Sequence, residues 1–173
     1  APHAPTPEAP SAAGTPTAPV VPEVPDAELP PILPGGEPVL SYGQERMWFH
    51  HQLDPATRLY NLPGAARYRG PLDAEKYRLA WEDLARRHEV LRSNFVEADG
   101  KPELVIRPEL GDFFTYLDVS DEDDPETAAG AVITSVMRWV FDIAHEPLIR
   151  GTVVRVGDDD YVVVWCMHHA VND

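Results

Sequence analysis

The sequence has little of what several common classes of protein require. Its 173 residues include one cysteine, Cys166, so no disulfide can form within the chain, which fits a reducing cytoplasm. Only 14 Lys and Arg stand against 29 Asp and Glu. The net charge of −15 argues against a nucleic-acid partner, because phosphate binding needs clustered basic residues. No apolar run is long enough to cross a membrane, yet 43% of the residues are apolar, enough for a folded core.

Short catalytic and nucleotide-binding motifs are also missing. The chain has no glycine-rich phosphate loop, no G-x-S-x-G nucleophile elbow and no CxxC pair. The sequence therefore does not indicate any of the protein classes that these three motifs characterise.

Proline is abundant but unevenly distributed. Residues 1–38 hold 12 of the 19 prolines and no Lys or Arg. Because proline fixes φ and removes a backbone donor, we predict a Pro/Ala-rich inter-domain linker over 1–38 and one folded unit over 39–173. A disordered tail or a cloning remnant could have the same composition. The chain has no initiator Met, and we expect it to come from a longer or processed protein.

Three helices are predicted from their capping residues. Ser41 and Gln44 form a capping box for a helix that runs to about His51. Asp73 caps a second helix, and Asp124-Pro125 opens a third. The apolar stripe predicted for the third helix comprises Ala129, Val132, Ile133, Val136 and Val140.

The remaining patterns predict β-structure. Residues 60–69 indicate a strand interrupted at Pro63-Gly64, and Asp99-Gly100 marks a hairpin turn. A second hairpin has arms at 149–156 and 161–169, and the last arm is apolar on both faces, as in a central strand. We therefore predict an α/β or α+β fold, with a mixed central sheet covered by helices.

The most specific chemical feature is the pair His168-His169 at the end of this buried strand. Adjacent strand residues point to opposite faces, so only one imidazole can face a given pocket. The pocket-facing histidine could be a general base or a hydrogen-bonding group. A third possibility is that both are satisfied within the core.

Other polar groups favour simpler interpretations. A metal site is disfavoured, because adjacent strand histidines rarely converge on one ion and no third ligand has a recognisable spacing. Cys166 is interpreted as a buried apolar thiol. The pair His50-His51 is interpreted as part of a solvated helix face.

Three stretches of the chain resemble known motifs that occur in this order. Residues 41–48, SYGQERMW, resemble S-x-A-Q-x-R-x-W, and residues 87–95, RHEVLRSNF, resemble R-H-E-x-L-R-T-x-F. Residues 168–173, HHAVND, resemble the HHxxxD part of HHxxxDG. In this set of motifs the chain resembles the condensation domains of nonribosomal peptide synthetases, within the chloramphenicol acetyltransferase-like family. Gly43 and Ser93 replace the usual Ala and Thr, and the final Gly is absent.

The resemblance implies an N-terminal lobe only, since family members are more than twice this length and have two lobes with the active site between them. It implies an acyltransferase that forms an amide between a donor acyl or peptidyl thioester and an acceptor aminoacyl amine. Both substrates would be tethered to 4'-phosphopantetheine on donor and acceptor peptidyl carrier proteins, with no intrinsic cofactor and no metal. The missing C-terminal lobe and a neighbouring adenylation domain would be further partners.

The resemblance also assigns roles to individual residues. His169 would be catalytic, as a base or a hydrogen-bond donor, and His168 mainly structural. Asp173 would form a structural ion pair, with Arg92 as the first choice of partner and Arg87 as the second.

The alternatives are an epimerisation domain, which shares HHxxxDG, and a non-catalytic docking module of the same fold. Ester-forming and acyl-loading relatives also stay open. The sequence does not reveal the donor, the acceptor, the stereochemical preference or the product. We expect the fragment alone to be inactive, because one wall of the site would be missing.

Overall fold

The computed structural model describes residues 38–172, which contain three helices, six strands and two short 3₁₀ turns. The predicted linker lies outside the described residues except for Pro38, so its assignment stays a prediction. The elements in chain order are α1 Tyr42–Leu53, β1 Asn61–Arg69, α2 Ala74–Arg87, the 3₁₀ turn Glu89–Arg92, β2 Ser93–Ala98, β3 Lys101–Ile106, β4 Phe114–Asp118, α3 Pro125–Met137, β5 Ile149–Gly157, β6 Asp160–His168 and the 3₁₀ turn His169–Val171.

The helices begin at the capping residues that the sequence indicates. The Ser41 hydroxyl accepts from the Gln44 amide, and the Gln44 side chain accepts from the Ser41 amide, which completes the capping box of α1. Asp73 caps α2 and Asp124 caps α3, each through its carboxylate. These bonds satisfy backbone donors that the first turn of a helix leaves unpaired.

Four strands form a mixed sheet in the order β1-β6-β5-β4. β6 pairs antiparallel with both β1 and β5, whereas β4 pairs parallel with β5. β2 and β3 form a separate antiparallel hairpin, and its turn holds Asp99 and Gly100 at positive φ. The central position predicted for the last strand is therefore correct.

β6 is buried on both faces because helices cover both sides of the sheet. Val164 and Cys166 pack with Met47 of α1 and Val136 of α3. On the opposite face, Met167 packs with Ala85 of α2, among other residues. The α/β fold with a mixed central sheet covered by helices is confirmed.

The structure adds elements that the sequence did not indicate, and it corrects one strand. β4 and the 3₁₀ turn Glu89–Arg92 were not predicted. The predicted interruption at Pro63-Gly64 is wrong, since β1 is continuous from Asn61 to Arg69. Proline is tolerated there because β1 lies at the edge of its sheet. Gly64 is required because the Trp165 ring lies over it.

Two other boundaries differ from the sequence patterns. β6 ends at His168, and His169 begins a 3₁₀ turn instead of continuing the strand. α3 ends at Met137, so Val140 lies outside it and is 45% exposed.

Gly64→Ala is expected to lower the free energy of unfolding by about 1–3 kcal/mol, because the added Cβ would overlap the Trp165 ring. The control is Gly130→Ala in α3, where a Cβ meets no atom within 4 Å. That change should raise stability by about 0.5–1 kcal/mol, since alanine favours helix. Urea unfolding followed by circular dichroism measures both, and a Gly64→Ala chain as stable as the parent would show that the close approach to Trp165 is unimportant.

Candidate functional site

The end of β6 places two neighbouring histidines in different environments. His168 is only 3% exposed and packs between the rings of Tyr60 and Phe141, with ring centroids 6.0 Å away in each case. Its Nδ1 accepts a hydrogen bond of 3.2 Å from the Ala170 amide. Burial, with smaller contributions from the nearby His51 and His169, lowers the pKa of His168 to about 4. His168 is therefore a neutral core residue at neutral pH.

His169 is half-buried and begins the turn that follows the strand. Its amide donates to the carbonyl oxygen of Tyr60 at 2.8 Å. Its ring Nδ1 lies 2.5 Å from the carbonyl oxygen of Asn172. Both contacts are to the backbone, so they fix the position of the imidazole independently of side-chain identity at 60 and 172.

The contact with Asn172 also assigns the tautomer of His169. A carbonyl oxygen can only accept, so Nδ1 must carry the proton. In the neutral ring the other nitrogen, Nε2, then has a lone pair and can accept a proton or a hydrogen bond. This is the arrangement that a general base or a polar positioning group requires.

The last turn of α1 contributes two more imidazoles to this region. His50 Nδ1 lies 2.8 Å from the Tyr60 hydroxyl, and His51 is also half-buried. Burial lowers the pKa of His51, although Asp142 and Asp54 oppose the effect. The two histidines are thus partly covered, where the sequence predicted a solvated face, and Tyr60 contributes to the cover of His50.

Tyr60 is the residue at this site that sequence reasoning missed. Its ring packs on His168, its carbonyl holds His169 and its hydroxyl reaches His50. The only signal was its place at the start of a strand, which does not reveal a partner more than a hundred residues away.

The predicted arginine partners of Asp173 lie at the end of α2 and in the turn that follows. Arg92 donates from Nε to the Ala85 carbonyl at 2.8 Å and from Nη1 to the Arg107 carbonyl. Arg87 is half-buried as the last residue of α2. Asp173 is outside the described residues, so its ion pair with Arg92 or Arg87 stays a prediction.

The segment before β5 is held by a largely buried polar cluster. Glu146 accepts from the Trp139 indole at 3.0 Å and from Arg150 at 2.9 Å, and the Arg150 guanidinium lies 4.2 Å from the Trp139 ring centroid. Asn94, 2% exposed, donates to the carbonyls of Ile143 and Glu146. These contacts fix the start of β5, which pairs with β6 along its whole length.

The described residues offer no alternative centre based on metal or thiol. Within 38–172, no group of three His, Cys, Asp or Glu side chains converges as a metal site would require. Cys166 is buried, and burial raises the pKa of its thiol to about 11, which disfavours the nucleophilic thiolate.

Comparison with known proteins defines the class. The family model "Condensation domain" matches residues 36–173. The fold resembles the starter condensation domain of rhizomide synthetase RzmA, with a TM-score of 0.70 and 20% identity over 79% of this chain and 34% of that one. Tallysomycin biosynthesis protein TlmII has a TM-score of 0.63 at 22% identity, over 75% of this chain and 30% of that one. The fold is that of condensation domains, a chloramphenicol acetyltransferase-like lobe.

Sequence relatives agree with this class. The chain is 38% identical over 133 residues to cyclosporin synthetase simA of Tolypocladium inflatum, covering 77% of this chain and 1% of that protein. It is 35% identical over 133 residues to enniatin synthase of Fusarium equiseti, covering 77% and 4% respectively. The chain belongs to the condensation domain family. It spans about a third of the solved domains and a few per cent of these synthetases.

Proposed function

We propose that this chain is the N-terminal lobe of a condensation domain that forms amide bonds in a nonribosomal peptide synthetase, with His169 as its catalytic residue. Family membership supports the class of reaction. The observation that carries the residue assignment is the half-buried imidazole of His169, whose Nδ1 is held by a backbone carbonyl. Its neighbour His168 is buried and has a different role.

The proposed reaction joins two carrier-bound groups. The acceptor amine attacks the carbonyl carbon of the donor thioester, a C–N bond forms and the C–S bond breaks. One proton leaves the attacking nitrogen, and the departing thiolate takes up one proton. The thiolate is a good leaving group, since a free thiol has a pKa of about 8.5. The site therefore needs mainly to orient two substrates and to manage one proton.

His169 suits that limited task. An α-amino group titrates near about 7.7–8.0, so a large fraction is protonated at neutral pH and cannot attack. An imidazole with a lone pair on Nε2 can accept the proton or hold the amine by a hydrogen bond. Holding both reactants in place can account for about 7–11 kcal/mol of the barrier, and the acid–base group adds to this.

The other site residues are assigned supporting roles. His168 packs the end of β6 and caps the following turn through the Ala170 amide. We assign Asp173 to an ion pair with Arg92, or with Arg87 as the second choice, that holds the loop after this turn.

Asp173→Asn in the complete domain is expected to cost about 3–5 kcal/mol of stability, since it would remove the counter-charge that we assign to the arginine holding the loop after the turn. Thermal unfolding and amide formation are the measurements. Arg92→Gln should cost at least as much, because it removes the other partner and also the bonds to the Ala85 and Arg107 carbonyls. If the Asp173→Asn domain stays fully folded and active, the ion pair does not hold this loop.

The proposed substrates are borne on 4'-phosphopantetheine of donor and acceptor peptidyl carrier proteins, with no cofactor bound by the domain itself. A C-terminal lobe supplies the second wall of the site, and an adenylation domain is a neighbour in the assembly. Within residues 38–172 no helix is long and apolar enough to span a bilayer. We place the protein in the cytoplasm because its single cysteine suits a reducing compartment.

The test supplies the complete domain with a donor-loaded and an acceptor-loaded carrier and detects the product by mass spectrometry. The proposal expects the amide on the acceptor carrier, and none from the 173-residue chain alone. Inversion of a stereocentre without amide would indicate the epimerisation alternative. No chemical change at all would favour a docking module.

A further inference from the structure

The turn that carries His169 is weakly supported by its own backbone. It comprises only His169–Val171, and the bond that closes it, from the Asn172 amide to the His169 carbonyl, is long at 3.4 Å. Apart from the contact between His169 Nδ1 and the Asn172 carbonyl, the geometry of this turn depends on groups outside it. The imidazole position therefore depends on what holds the neighbouring peptide groups.

The Ala170 residue of this turn is held at both its backbone polar groups. Its amide donates to Nδ1 of His168, as described above. Its carbonyl accepts from Nε2 of Gln44 at 3.0 Å, across 126 residues of sequence. The two bonds attach the turn to the end of β6 on one side and to the first turn of α1 on the other.

Gln44 is itself fixed at its other end. Its Oε1 accepts from the Ser41 amide at 2.9 Å, and its own amide donates to the Ser41 hydroxyl at 3.2 Å. The side-chain amide therefore uses its oxygen to cap α1 and its nitrogen to hold the turn. Because the capping box restrains the side chain, little rotamer freedom is lost when it binds Ala170.

We propose that Gln44 is a positioning residue that orients His169 by binding the Ala170 carbonyl, a role separate from its contribution to the α1 cap. This inference rests on the proposed function only for its effect on catalysis. The structural part, that Gln44 fixes the turn, holds for the chain whatever it catalyses.

The two roles of Gln44 can be separated by substitution. Gln44→Glu keeps an oxygen acceptor for the Ser41 amide and adds a negative charge near a helix N-terminus, where it is favourable. It removes the donor to Ala170 and sets a carboxylate against that carbonyl. Ser41→Ala does the reverse, because it weakens the cap and leaves the Gln44 side chain able to reach Ala170.

The first readout is hydrogen exchange of the Ala170 and Asn172 amides in the 173-residue chain, which requires no activity. We expect Gln44→Glu to accelerate this exchange about 10-fold with only a small change in melting temperature, because the charge favoured at the N-terminus of α1 offsets part of the lost bond. Ser41→Ala should lower the melting temperature by several degrees, because it weakens the α1 cap. Exchange of the Ala170 and Asn172 amides should then rise by no more than the loss of global stability explains. Equal protection in Gln44→Glu and the wild type would overturn the proposal.

The second readout is amide formation by the complete domain. Gln44→Glu should lower kcat about 10-fold with KM unchanged, whereas Ser41→Ala should keep the wild-type kcat at a temperature where it is folded. Equal kcat losses in both variants would mean that Gln44 acts only through helix stability, and would overturn the positioning role. If the wild-type domain makes no amide, the proposed function fails, and the exchange measurement decides the role of Gln44 by itself.

Discussion

His169→Ala in the complete condensation domain should lower the rate of amide formation about 10²–10⁴-fold and leave the fold intact. The magnitude is that of a single positioned acid–base group. The residual rate should still exceed that of free carriers, because under the proposed function the complete domain would still hold both substrates together. Single-turnover assays with loaded carriers, read by mass spectrometry, measure the chemical step directly.

The matched control is His145→Ala, which removes another histidine of the same lobe. The His145 side chain is 79% exposed and contacts Asp142 at the surface. An exposed contact of this kind contributes little, so activity and stability should both stay close to those of the wild type. If His169→Ala forms amide as fast as His145→Ala does, His169 has no part in the mechanism.

His168 should make the stability of the fold depend on pH between about 6.5 and 4. The unfolded chain protonates this residue near the ordinary pKa of 6.5, whereas burial lowers the pKa in the folded state to about 4. Between these values the unfolded state binds more protons, so stability falls as the pH falls. At about 1.36 kcal/mol per pKa unit, the full loss is about 3 kcal/mol.

The comparison is with His168→Asn, which removes the titrating group. The asparagine carbonyl can still accept from the Ala170 amide, so the turn keeps its cap. Urea unfolding at pH values from neutral down to the folded-state pKa of about 4 gives the free energy of unfolding of each chain. The difference between wild type and variant should shrink by about 3 kcal/mol on acidification. Carboxylates titrate equally in both chains, so a constant difference would mean that His168 is not buried as described.

The parts of the fold that the sequence predicted are those specified by local chemistry. Ser41 with Gln44 and Asp73 are capping residues that act within three residues of themselves, so α1 and α2 could be recognised from short patterns. The last arm of the second hairpin, which forms β6, was recognisable because it is apolar on both faces. A strand buried on both faces lacks the usual alternation of apolar and polar residues.

The parts that were missed depend on contacts between distant segments. β4 joins the sheet by parallel pairing with β5, and a parallel pair has no hairpin turn to mark it. Pro63 and Gly64 indicated a break because both residues usually interrupt strands. The strand tolerates Pro63 because β1 lies at the edge of the sheet, and it requires Gly64 because Trp165, a hundred residues away in sequence, lies over it. The sequence of α1 predicts surface positions for His50 and His51, because nothing in it reveals that Tyr60 contacts His50.

The same division applies to the site. Strand alternation predicted different environments for His168 and His169, although β6 ends at His168 and the difference arises at the start of the turn. The bonds from Tyr60, Gln44 and Asn172 that hold this turn were beyond prediction. The bonds from Tyr60 and Gln44 join this turn to residues more than a hundred positions away in sequence, whose nearness only the folded chain creates, whereas the contact with Asn172 forms within the turn itself.

The most direct test of the account is the protonation state of each nitrogen of His169, measured by ¹⁵N NMR at neutral pH. We expect the neutral ring to carry its proton on Nδ1, which donates to the Asn172 carbonyl, and to present a bare Nε2 that can accept a proton. A neutral ring protonated on Nε2, with Nδ1 bare, would contradict the proposed catalytic role.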